Sequence, residues 1–476
     1  MQVAEVALGA TAVDRFAPII GSGRVDLLHA HLDALRHALD GRTIWHVNST
    51  ASGGGVAEML HVLLAYERAA GIDVRWVVVG GDAEFFTITK RLHNRLHGSG
   101  GDALPLDRAA HTHYQRVTRS NAEPLLARVR PGDVVVLHDP QTAGLAAGLA
   151  ARGARTVWRC HIGADAPNGL AEEGWSFLRG YLDDVAAFVF SRQAHVPAVV
   201  NGAPTRIVPP SIDPFAPKNA PLAPDDVHAV LAHSGLLARN GHAEPARFRR
   251  ADGRLATLRR RADIIREGPP PPADVPWIVQ VSRWDRLKDM VGVLRAFADH
   301  RARLGEAHLA LVGPSVAGVS DDPEGQQVLA ECVAVWQRLP VAARRRVHLV
   351  SLPMHDLDEN AAMVNAIQRH ATILVQKSLA EGFGLTVTEG MWKARPLVAS
   401  RVGGIQDQIR HSESGLLIDD PSDSEAFASA LGSLLAAPEQ ARRLGEGAQA
   451  RVADGFLGDR HLTRTAQLVT DLLSAG

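Results

Sequence analysis

Two cysteines, Cys160 and Cys332, are all that 476 residues contain. That is too few for a disulfide framework, and they lack metal-ligand spacing, so a reducing compartment is expected. An excess of positive charge is also missing, with 51 Lys and Arg against 52 Asp and Glu. This excludes the broad basic field of a nucleic-acid or anionic-membrane protein, and any phosphate binding must be local. No stretch reaches the roughly 20 apolar residues of a spanning helix. The opening MQVAEVALGA has no basic region running into an apolar core, and the expectation is a cytoplasmic protein. Aromatic residues are only 5%, yet 46% of the chain is hydrophobic and 22% charged, a composition that builds globular cores.

At roughly 100 to 200 residues per domain, the length calls for two or three domains. From RTIWHVN (42–48) onward, the runs VRWVVVG, DVVVLHD, RTVWRCH, AAFVFS and TRIVPP alternate with helix-length stretches. From WIVQVSR (277–283), HLALVGP, RVHLVSL, TILVQKS, PLVASRV and SGLLIDD do the same. Such alternation predicts βα units on parallel sheets, hence an α/β chain of two doubly wound domains. The expected division is 1–215, a linker or insertion at 216–273, a second domain at 274–455, and a C-terminal helix at 456–476 packing back on the first domain. The Arg-rich part of the insertion, ARFRRADGRLATLRRR, lacks interleaved aromatics and reads as a solvated helix face. Open parallel sheets bind ligands at the carboxyl ends of their strands, so a cleft between the two domains is the expected site.

Three stretches carry chemistry. In NSTASGGGVAEML, Gly53, Gly54 and Gly55 lie between a strand and a helix. Bare backbone and a helix N-terminus suit an anion, although a tight turn or close packing would ask for the same glycines; the dinucleotide spacing G-x-G-x-x-G is not formed. In QVSRWDRLKDM, Arg283 and Lys288 follow a strand end, where two cations suit a diphosphate. In SLAEGFGLTVTEGMW, Glu381 falls in a strand-end loop and Glu389 on the next helix. A carboxylate in the loop can face a sugar, and one on the helix can accept from ribose hydroxyls. His46, His138 and His161 also stand near strand ends, His138 beside Asp139. Lys90 and Asn94 of EFFTITKRLHN share a helical face beside an aromatic pair expected to be buried. No D-x-D pair or metal-type cluster follows a strand.

EGFGLTVTE resembles the E-x7-E motif of the retaining glycosyltransferases of family four, and SGGGVAE, the Arg283 and Lys288 pair and ASRVGGI agree with it. WHVNSTASGGGVAEML, EFFTITKRLHNRLHG and RCHIG are similar to the trehalose-forming subgroup, while the segment at about 240–273 is longer than compact members have. The resemblance implies the GT-B fold, two Rossmann-like domains facing a cleft, and transfer of glucose from UDP-, ADP- or GDP-glucose to glucose. It assigns Glu381, His161, Arg283 and Lys288 to the reacting centre. Gly54, Gly55, Gly382, Phe383, Gly384, Leu385, Thr386 and Glu389 go to the donor, and Lys90 and Asn94 to the acceptor, while strand-end position makes His138 and Asp139 further acceptor candidates. It implies no tightly bound cofactor and no essential metal. The expected partners are the nucleotide sugar and a small sugar acceptor, with no nucleic acid and no membrane span, and a second copy of the chain as a further candidate. A disaccharide phosphorylase, a transferase with another acceptor and a non-catalytic sensor are the rival readings.

Overall fold

The computed structural model describes residues 3–51, 54–102, 104–200, 202, 204–239, 245–316 and 323–475. The chain forms two units, Met1–Ser211 with Phe456–Gly476, and Ile212–Gly455.

The first unit is built on a seven-stranded sheet of β1 (Ala4–Glu5), β2 (Ile44–Asn48), β3 (Val74–Val78), β4 (Val134–His138), β5 (Arg155–Cys160), β6 (Ala187–Phe190) and β7 (Thr205–Ile207). Their order is β1-β3-β2-β4-β5-β6-β7, with β1 antiparallel at the edge and the other neighbours parallel. Every residue of β2, β4 and β6 is buried. That follows from helices covering both faces of a parallel sheet, and it is why these strands read as unbroken apolar runs. Strand order reverses between β2 and β4, so a crevice opens at their carboxyl ends. The helix Gly458–Ser474 closes the unit against the helix Ser22–Leu39, fixed by Arg24, whose Nε and Nη2 donate to Asp459 at 2.6 and 3.0 Å.

In the second unit, residues expected as a linker or insertion are folded. They form a helix (Pro224–Ser234) and a hairpin of β8 (Arg247–Arg249) and β9 (Leu255–Thr257), followed by β10 (Asp263–Ile265). The Arg-rich run is therefore a β-hairpin, not a helix face. Its extended backbone points alternate residues to opposite sides, burying Phe248 between exposed Arg247 and Arg249. β10 pairs antiparallel with β13 at the edge of the second sheet. That sheet also holds β11 (Trp277–Val281), β12 (His308–Pro314), β13 (Val347–Leu352), β14 (Ile373–Gln376), β15 (Leu397–Ser400) and β16 (Leu416–Ile418), in the order β10-β13-β12-β11-β14-β15-β16. Its six parallel strands thus follow the 3-2-1-4-5-6 Rossmann order, with the reversal between β11 and β14. The first sheet instead runs 2-1-3-4-5-6.

Candidate active site

In the second unit, both motif loops leave the strands that flank the reversal point. β11 runs into Arg283 and Lys288, and β14 into Lys377 and Glu381. The topology brings together residues 93 apart in sequence: Lys288 Nζ donates to Glu381 Oε2 at 2.6 Å, with side chains 15% and 11% exposed. Ser378 Oγ donates to the same oxygen at 3.4 Å. Gln280 Nε2 donates to the Lys288 carbonyl at 2.7 Å and holds that backbone under the loop. Arg283 lies half exposed, donating from Nη2 to Asp285 at 3.1 Å, while Asp285 caps the short turn through Leu287 N–H at 2.8 Å.

The glycines of the loop have two distinct causes. Gly384 has φ +88, a left-handed conformation that favours glycine, and it precedes the helix Leu385–Trp392. Gly403 lies against the loop from the next strand end, with φ +50, and a Cβ there would stand 1.6 Å from the Glu381 carbonyl oxygen. Gly382 accepts from Gly404 N–H at 3.1 Å, and Phe383 is buried. The first N–H groups of the helix belong to Leu385 and Thr386, and the Thr386 hydroxyl is held by Gln376 at 3.1 Å. Glu389 is separate from the ion pair. It is 4% exposed, 3.5 Å from Lys218 Nζ, and accepts from Gln368 at 3.4 Å. Below it Lys393, lowered to about 7 chiefly by burial against the pull of Glu389, donates to the Glu389 carbonyl at 3.1 Å.

Lys377 is a further cation here that no sequence motif marks. It is buried and ion-paired with Asp289, whose φ of +49 turns the chain into the following helix. Its position at a strand's carboxyl end was the available signal.

In the first unit, Gly54 caps the helix Gly55–Ala69 with an extended φ of −161, and a Cβ on it would meet nothing within 4 Å. Neither a turn nor packing requires glycine here. Gly55 is exposed, and Gly53 lies outside the described residues.

After β5, His161 donates its backbone N–H to Asp139 Oδ1 at 2.8 Å, and its Nε2 meets His138 Nδ1 at 3.2 Å. His138 in turn meets His46 Nδ1 through Nε2 at 3.0 Å. His138 is 2% exposed with both ring nitrogens engaged. Asp139, in a left-handed conformation at φ +61, has its carboxyl pushed up to about 7 by burial, against the hydrogen bond from His161 and the charge of Arg159. Lys90 and Asn94 lie half-buried on the helix Ala83–Leu96, whose end is tied to the His161 loop by His97 Nδ1 and the Gly163 carbonyl at 3.1 Å. Of the aromatic pair, Phe85 is buried and Phe86 is exposed, so only half of that expectation holds.

Among the described residues, no helix is long and apolar enough to cross a membrane, and no group of three or more His, Cys, Asp or Glu could hold a metal ion.

Residues 46–197 match the family model described as trehalose synthase, N-terminal domain, and residues 348–451 match glycosyl transferases group 1. A trehalose synthase of Rubrobacter xylanophilus is 35% identical over 448 residues, covering 94% of each chain. A trehalose phosphorylase of Pleurotus pulmonarius is 26% identical over 469 residues, 93% of this chain and 58% of its own. The fold is shared with a solved structure of "Trehalose-6-phosphate from E. coli bound with UDP-2-fluoro glucose", at a TM-score of 0.65 and 16% identity, covering 90% of this chain and 99% of that one.

Proposed function

This chain belongs to the trehalose synthase family of glycosyltransferases, and from that premise we propose that it moves glucose from a nucleoside diphosphate glucose to a second glucose, with retention of the α configuration. The observation that carries the reading is the Lys288 to Glu381 contact at the reversal point of the second sheet. Lys288 has three N–H donors and Glu381 occupies one, leaving two for the oxygens of a departing diphosphate. Arg283 adds a planar fork of donors beside it. These cations stabilise the charge that gathers on the leaving group, so bond breaking is accelerated without a metal in the scheme.

Glu381 Oε2 is taken by Lys288 and Ser378, which leaves Oε1 for the transferred sugar as positive charge develops on its ring. The acceptor hydroxyl attacks from the face the phosphate leaves, and a phosphate oxygen takes its proton; no protein nucleophile is required. In this reading Glu389 receives the ribose hydroxyls, Gly54 and Gly55 let the backbone approach the donor, and His161 hydrogen-bonds the transferred sugar. Lys90, Asn94 and Asp139 lie on the acceptor side.

The match to a trehalose phosphorylase favours one second reading, in which inorganic phosphate occupies the place of the nucleotide diphosphate. One experiment separates the two. Purified protein is given glucose with UDP-, ADP- or GDP-glucose, and in parallel trehalose with phosphate, and products are followed by NMR. Nucleoside diphosphate released together with an α,α-linked disaccharide supports the transfer and names the donor base. Glucose 1-phosphate formed only from trehalose and phosphate overturns it in favour of the phosphorylase.

A further inference from the structure

We propose that one buried water closes a hydrogen-bond chain behind the first unit's site and thereby fixes His161 as a hydrogen-bond donor through Nδ1. The inference rests on the reading that His161 faces the transferred sugar.

The chain His46, His138, His161 is joined by contacts of 3.0 and 3.2 Å between ring nitrogens. Burial holds all three rings neutral near pH 7, His46 down to about 3 and the other two well below the ordinary histidine value. A neutral imidazole carries one N–H and one acceptor nitrogen. His138 uses both, so the protons of the chain must all point one way. Either His161 keeps Nδ1–H and His46 Nε2 is a bare acceptor, or His161 Nδ1 is bare and His46 carries Nε2–H. The two ends of the chain are coupled, and whatever binds His46 Nε2 decides what His161 offers to a ligand.

At that end lies a cavity of about 20 Å³ whose polar lining is His46, Glu67, His138, Arg159, His461 and Thr465. This exceeds the roughly 10–15 Å³ that one water requires. Four of these residues bear buried polar atoms with no protein partner: His46 Nε2, Glu67 Oε2, His461 Nδ1 and Thr465 Oγ1. Two of them have a fixed sense. Arg159 Nη1 lies 2.8 Å from His461 Nε2, and a guanidinium only donates, so the His461 proton sits on Nδ1. Glu67 is pushed up to about 8 by burial and is a carboxylic acid at neutral pH, with an O–H to give.

A water receives these two donors on its lone pairs, and its own protons go to His46 Nε2 and Thr465 Oγ1. All four orphan atoms are then satisfied, the usual complement for an internal water. His46 is thereby an acceptor at Nε2. Its Nδ1–H donates to His138 Nε2, the His138 Nδ1–H donates to His161 Nε2, and His161 presents Nδ1–H to a hydroxyl oxygen of the sugar. Glu67 and His461 are positioning residues in this scheme, remote from the substrate.

The test is nitrogen-resolved imidazole NMR of the full chain without sugar, with His161 assigned by the resonances lost in His161→Gln. The expected result is a neutral ring protonated at Nδ1. Glu67→Gln keeps a donor and preserves this pattern, whereas Glu67→Met removes it and moves His161 toward the Nε2–H form. A wild-type His161 protonated at Nε2, or a Glu67→Met spectrum unchanged at His161, overturns the proposal; if Glu67→Met does not fold, the wild-type tautomer decides alone. A high-resolution crystal structure adds an independent check, since an ordered water bonded to His46 Nε2 is expected and a dry cavity refutes the scheme. No sugar enters these measurements, so they stand or fall separately from the transfer activity.

Discussion

The two units place their candidate site residues at the same topological position and treat charge in opposite ways. In the second, cations at the strand ends each meet a carboxylate: Lys288 meets Glu381, and Lys377 meets Asp289. In the first, His46, His138 and His161 pair with one another, and burial removes their charge. On the proposed reading, an ammonium answers a diphosphate, whose charge grows as the bond breaks, and a neutral imidazole answers a sugar hydroxyl, for which the direction of one proton is what matters. Repeating a fold therefore does not repeat its electrostatics; the sheet supplies the position and the local partners decide the chemistry.

The comparison breaks most visibly at the ion pair. Lys288→Ala or Glu381→Ala is expected to lower kcat by about 10²–10³-fold, the range for loss of one preorganised group that stabilises transition-state charge. If the two residues act as one device, the double variant should lose little more than either single one, because groups that work as a unit are not additive. A double-variant loss equal to the product of the single losses would show that the contact has no catalytic meaning. Thermal melts of the same variants separate loss of transfer from loss of fold.

The buried side is sharpened by pH. His46 titrates near 6.5 when unfolded and at about 3 when folded. Between those values the unfolded chain binds more protons, so stability falls as pH drops through that window. Glu67 has the reverse sign: its folded carboxyl titrates at about 8 against 4.5 unfolded, so the folded chain binds more protons and stability falls as pH rises from about 4.5 to 8. The second largest effect is therefore expected in denaturation midpoints of Glu67→Gln, which should gain on the wild type steadily from pH 5 to pH 8 while keeping the loss below pH 6. Parallel profiles over that range would mean that Glu67 is ionised in the folded protein and that the first unit also keeps a buried charge.

Much of this contrast was legible in the sequence, and the illegible part has physical causes. The strands that form the two parallel sheets could be read because burial on both faces writes them as continuous β-branched runs. The edge strands β1 and β10 are two and three residues long and partly exposed, so no such run marks them. The Arg-rich hairpin reads as a helix face in sequence because charge spacing alone does not separate the two periods. Glu381 and Lys288 were each found from strand-end position, but their contact depends on β11 and β14 lying side by side, which only the strand order provides. The histidine chain left less trace. His461 meets Arg159 across 302 residues, and no local pattern announces such a contact.

The smallest expected effect concerns a glycine, and it distinguishes a residue kept for the fold from one kept for a ligand. Gly403 serves the fold: with φ +50 and a Cβ position 1.6 Å from the Glu381 carbonyl, Gly403→Ala must displace the loop. Gly54 lacks both constraints, being extended at φ −161 with open space around its Cβ position. Gly54→Ala should thus leave stability within about 0.5 kcal/mol of the wild type. If the open space is where the donor approaches backbone N–H groups, the same methyl should raise the donor KM about fivefold, equivalent to about 1 kcal/mol, with kcat nearly unchanged. Melting curves and donor titrations on one preparation read both quantities. Unchanged stability with a raised KM assigns the glycine to the ligand, whereas unchanged values of both would remove the N-terminal glycine loop from the donor site and leave the charged side of the comparison to the second unit alone.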